Sequence, residues 1–112
     1  MTGAIVVGYT ATDAGADALA LGVRVARSLD AHLHLVIVLP NEGTRSAVVP
    51  PGRPYETHVR KQAKKWLRAV VSRIPEGVPY AGHVRFAESF AEGLIEAGEE
   101  FDARLIVVGA AN

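Results

Sequence analysis

Four short apolar runs rich in β-branched residues recur along this chain, and each is separated from the next by a stretch whose apolar residues follow helical spacing. This alternation restricts the fold more than any other feature. A continuous apolar run such as Ala4–Tyr9 (AIVVGY) is the pattern of a strand covered on both faces. Strands separated by helices join as a parallel sheet through right-handed crossovers, with helices on both faces. The expected fold is α/β, an open doubly wound sheet of order βαβαβαβ, within one domain spanning residues 1–112.

The individual elements can be placed from local signals. After the first strand, Ala14–Leu29 puts Ala18, Leu21, Gly22, Val25, Ala26 and Leu29 on one helical stripe, with Thr12 or Asp13 as its cap. His32–Pro40 (HLHLVIVLP) reads as a second buried strand ended by Pro40. Asn41–Pro54 holds three prolines and two glycines and reads as a surface connection. From Tyr55 to Ile74, Val59, Ala63, Trp66, Leu67, Val70, Val71 and Ile74 recur at helical spacing, with Trp66 in the core. Arg60, Lys61, Lys64, Lys65, Arg68 and Arg73 then form a solvated basic face. Val78–Phe86 alternates as a strand, and Pro79 suits a sheet edge. Ser89–Glu92 is a capping box opening a helix to about Phe101, with Phe90, Ala91, Leu94, Ile95 and Phe101 inward. ARLIVVG, ending at Gly109, is the fourth strand.

Composition removes several classes of function. Twelve basic and twelve acidic residues give no net charge, so no global field draws nucleic acid or an anionic membrane, and neither partner is expected. The absence of cysteine excludes thiol catalysis and thiolate-bound zinc. The N-terminus lacks a signal-peptide pattern and no run reaches membrane-spanning length, so a cytoplasmic location is expected.

No catalytic motif is present: neither G-x-S-x-G, nor a Walker A sequence, nor H-E-x-x-H, nor G-x-G-x-x-G occurs. An enzyme is therefore not expected. His32 and His34 share one face of the second strand, a two-ligand start for a metal, but no third ligand follows at a recognisable spacing. They read as ordinary strand histidines, and no metal site is assigned.

Position is more informative. With strand one central and strands two and four beside it, the ends of strands one and four meet at a topological switch, where open α/β sheets bind ligands. Gly8, Tyr9, Thr10 and Ala11 stand on one side of that crevice, and Val108 and Gly109 on the other. Val38 would close one side as an apolar wall or through its backbone. The alternative is that Gly8 and Gly109 only turn the chain.

IVVGYTATDAGADALALGVRVARSLDAHLHLVIVL and ESFAEGLIEAGEEFDARLIVVGA, separated by a long variable loop, resemble the universal stress protein family along the whole chain. The resemblance implies strand order 3-2-1-4-5, a frequent homodimer or larger homo-oligomer, a role in stress response, and ATP or AMP as a bound nucleotide. It assigns the adenosine side to Gly8, Thr10 and Val38, and the entry to the phosphate loop to Val108 and Gly109. Thr10 stands where nucleotide-binding members carry Asp, and a neutral hydroxyl lacks the charge-assisted acceptor of a carboxylate. The family's glycine-rich phosphate loop and fifth strand would follow Asn112, so the expected sheet is 3-2-1-4 with its fifth strand missing. Weakened nucleotide binding is expected, and the competing expectation is a nucleotide-independent interaction module.

Overall fold

The computed structural model describes residues 3–10, 13–40 and 53–109. Ala11, the Thr12 cap and the connection from Asn41 to Gly52 lie outside the described residues, as do the side chains of Asp13 and Val59. Seven elements follow in chain order: β1 (Ala4–Gly8), α1 (Asp13–Leu29), β2 (His32–Pro40), α2 (Arg53–Val71), β3 (Tyr80–Ala87), α3 (Phe90–Glu100) and β4 (Ala103–Val107). The four strands form one parallel sheet of order β3-β2-β1-β4. The expected alternation and topology are present, and the third strand lies at a sheet edge as expected, although it begins at Tyr80, just after Pro79, and not at Val78.

The sheet has two unequal apolar faces. Ile5, Val7, Leu33, Leu35 and Val107 pack with Ala18, Leu19, Val23 and Ala26 of α1 and Val70 of α2. On the other face Val6 and Val36 pack with Leu94 and Ala97 of α3. Ile5, Leu33 and Leu35 are wholly buried, and side chains of this size each contribute about 1.5–3 kcal/mol on leaving water.

Helix orientation departs from the expected stripes. On α1 the buried residues are Gly15, Ala18, Leu19, Gly22, Val23 and Ala26, while Leu21 and Leu29 face outward. The cause is close approach: a Cβ on Gly22 would overlap a methyl of Val7, so α1 lies against β1 at its glycine. On α3 the inward residues are Gly93, Leu94 and Ala97, whereas Ile95 is 55% exposed and Ala91 is exposed. A Cβ on Gly93 would stand 2.6 Å from Cγ1 of Val38, which shows why small residues occupy that contact. Trp66 is 39% exposed, not part of the core, because Ala63, Leu67, Val70 and Val71 carry the buried side of α2.

The turns entering β2 and β4 are alike. Asp30 and Asp102 both take left-handed backbone, with φ 53° and 51°. After α1, the Ala31 N–H donates to the Ala26 carbonyl at 2.9 Å and the Asp30 N–H to that of Arg27 at 3.4 Å. This is the Schellman pattern, with Asp in the place usually taken by Gly. At the start of α3 the Ser89 hydroxyl accepts from the Glu92 N–H at 3.1 Å, the serine half of the expected capping box.

Candidate functional site

Parallel pairing of β1 with β4 places Val7 opposite Val107. Gly8 and Val108 follow one residue later, at the C-terminal edge of the sheet. The Tyr9 N–H donates to the Val36 carbonyl at 2.9 Å, extending the β1–β2 ladder and fixing the path into the exposed Thr10. Because α1 leaves β1 on one face and α3 reaches β4 along the other, this edge is the switch point of the sheet. The structure thus brings Gly8, Tyr9, Thr10, Val108 and Gly109 to one edge. Of the other two of the seven expected contributors, Val38 stands near the end of β2 and Ala11 lies outside the described residues.

Two residues of this group have packing roles of their own. A Cβ at Gly8 would lie 2.6 Å from Cδ1 of Leu94 and 2.9 Å from Cζ of Phe90, so glycine here admits α3. Val38 is half-buried and its methyls fill the space over Gly93, so its side chain is committed to α3. Gly15 was not legible as part of this edge. It is buried where a Cβ would overlap the Thr10 carbonyl oxygen, so the backbone at Thr10 lies against the first turn of α1. A glycine two residues inside a helix start was the available signal.

A second group lies toward the opposite ends of the strands, on the α3 face. His34 Nδ1 is 3.0 Å from His83 Nε2, and the two rings are 5.2 Å apart between centroids. Phe101 stacks on His34 at 4.1 Å with 4° between planes and leans on His83 at 4.5 Å. Arg85 stands 5.7 Å over the Phe101 ring and binds both carboxylate oxygens of Glu100, at 2.9 and 3.0 Å. Burial lowers the pKa of both imidazoles, helped at His34 by His32 and at His83 by His34 and Arg85, while Glu100 opposes the shift. The lowering favours the neutral form of both rings. An N–H on one nitrogen then donates to the lone pair of the other.

His32, His34, Phe101, Asp102 and Arg104 line a concavity of about 480 Å³ beside this stack. His32 and His34 share one face of β2 and one concavity as expected, but the ring of His34 meets His83, and His32 remains exposed. Among the described residues no three His, Cys, Asp or Glu side chains converge as a metal-binding group. On α2, Lys61, Gln62, Lys65 and Arg68 border a shallow concavity of about 340 Å³, and the basic face is exposed as expected.

The model of the universal stress protein family matches residues 1–112. A universal stress protein of Mycobacterium bovis is 29% identical over 95% of this chain, as are two from strains of Mycobacterium tuberculosis. The chain spans 37% of the length of these curated relatives. Among solved structures, a universal stress protein family member from Burkholderia pseudomallei superposes with a TM-score of 0.76 at 25% identity, covering 96% of this chain and 80% of that one. A universal stress protein solved in complex with cAMP superposes with a TM-score of 0.60 at 19% identity, covering 95% of this chain and 75% of that one. Sheet order, helix placement and family match agree, and the chain belongs to the universal stress protein family.

Proposed function

We propose that this chain is a cytoplasmic nucleotide-binding or nucleotide-sensing module of stress response, not a dedicated enzyme, taking ATP or AMP at the C-terminal edge of β1 and β4. The observation that carries this reading is the meeting of Gly8, Tyr9 and Thr10 with Val108 and Gly109 at the sheet's switch point. A family relative in complex with cAMP supports an adenine nucleotide as the ligand class. Ala11 completes the loop in this reading, and Val38 contributes through its backbone, because its side chain is held by α3. Thr10 makes the binding weak, since it offers a hydroxyl where a carboxylate would hold ribose hydroxyls more strongly.

Titration of the 112-residue chain with ATP, AMP and cAMP, followed by amide chemical shifts, tests the site. Weak binding that perturbs Gly8–Thr10 and Val108–Gly109 is expected. Thr10→Asp is expected to tighten it by on the order of 1 kcal/mol, one added charge-assisted hydrogen bond. Micromolar affinity in the unaltered chain would refute the weakening, and shifts confined to other residues would refute the site.

A second reading, a nucleotide-independent homodimerising or larger self-associating module, is favoured by a specific observation. Leu105, Ile106 and Val108 at the β4 edge are 44%, 42% and 50% exposed, although the run has the apolar, β-branched composition of an interior strand. Absence of any nucleotide-induced shift, together with concentration-dependent association, would select it.

A further inference from the structure

We propose that His34 and His83 form a two-imidazole site for a divalent transition ion of the imidazole-seeking class, Zn²⁺, Ni²⁺ or Cu²⁺, open to water along the adjoining concavity. Two ring nitrogens on neighbouring strands face each other at 3.0 Å. Zinc–nitrogen bonds of about 2.05 Å at a tetrahedral angle set two such nitrogens roughly 3.3 Å apart. Lengthening that separation by a few tenths of an ångström, with each ring turning so that its lone pair meets the ion, converts the pair into a chelate, and the N–H between them passes through solvent to the other nitrogen of its own ring. β3 is an edge strand and His83 is half-buried on it, so this opening does not disturb the centre of the sheet.

The surroundings fit a cation held by neutral nitrogen donors. Phe101 fixes the His34 ring by flat stacking at 4.1 Å. Glu100 supplies a carboxylate beside both rings and balances the guanidinium of Arg85. The concavity of about 480 Å³ gives solvent access to His34, so water fills the positions that protein ligands leave open. Imidazole donors place the ions in the order Cu²⁺ tighter than Ni²⁺ and Zn²⁺. This site lies toward the strands' N-terminal ends and does not depend on the nucleotide reading.

Titration of the 112-residue chain with CuCl₂, NiCl₂ and ZnCl₂ at pH 7, by calorimetry and by imidazole ¹⁵N resonances, tests it. One equivalent of Zn²⁺ is expected to shift the ring nitrogens of His34 and His83 together. His83→Gln is expected to lower affinity by at least about tenfold, and His32→Gln to leave it within a factor of about three. Circular dichroism checks that each variant folds, and the ring shifts in the unaltered chain stand independently of any variant. Binding that survives His83→Gln, binding abolished by His32→Gln instead, or unshifted His34 and His83 rings would each overturn the proposal.

Discussion

At Gly8, packing and ligand access make opposite demands on one residue. A backbone free of Cβ suits close approach by a nucleotide, yet Leu94 and Phe90 already occupy the space that a Cβ would need. Gly8→Ala is therefore expected to destabilise the fold by about 1–3 kcal/mol through overpacking. Urea unfolding measures this directly, and an unchanged midpoint would show that α3 yields without cost. Asp30 presents the reverse case, because its left-handed φ of 53° is one that glycine adopts freely. Asp30→Gly is expected to raise stability by up to about 1 kcal/mol, and a lower thermal midpoint would contradict it. At this scale the sequence is a partial guide. The glycine at the strand end is legible as a special position, but its neighbours Leu94 and Phe90 come from a helix more than eighty residues along, and no local pattern announces them. His83 is hidden in the same way, since its partner His34 lies on the preceding strand across a whole crossover.

The helices are legible as elements and less so as faces. Helical periodicity locates α1, α2 and α3 to within a few residues, because apolar spacing and the Ser89 cap are local properties. Which side turns inward is decided by how closely each helix approaches the sheet. On α1, Ala18, Gly22 and Ala26 of the expected stripe are buried, whereas contact of Gly22 with Val7 turns Leu19 and Val23 inward and leaves Leu21 and Leu29 exposed. Small residues at a crossing permit approach that larger side chains prevent. Gly22→Ala, which in an isolated helix would stabilise by up to about 1 kcal/mol, is here expected to destabilise. Leu21→Ala is expected to change stability by no more than about 0.5 kcal/mol. Paired chemical denaturation of the two variants decides the orientation, and the opposite ranking would return the stripe to Leu21. Ser89→Ala is expected to cost about 1 kcal/mol, because the Glu92 N–H loses its 3.1 Å acceptor. Amide exchange at Glu92 would report that loss, and unchanged protection would contradict it.

Parallel pairing is the most legible property of the whole molecule, because four β-branched runs separated by helices leave little choice but a parallel sheet, while the order β3-β2-β1-β4 is implied by the family resemblance and not by the alternation. That order puts β4 at an outer edge among the described residues, although ARLIVV has the composition of an interior strand. Leu105 and Ile106 point to opposite faces of the sheet, and both remain more than two-fifths exposed. The register shift between Ala4 and Ile5 lies at the start of the strand and leaves Leu105–Val107 in regular pairing with β1. No proline or lysine interrupts those three residues, so their outward N–H and C=O groups form a regular template for another strand. Covering that edge on both faces would give the apolar contact typical of a permanent interface. The 112-residue chain is accordingly expected to self-associate through β4, with the monomer fraction rising on dilution. Light scattering coupled to size exclusion over a wide concentration range measures this. Ile106→Lys places a charge in the contact without touching the buried Val107, and is expected to shift the population toward monomer at equal concentration. A soluble monomer at every concentration would refute association through this edge. Association unaffected by Ile106→Lys would move the interface elsewhere.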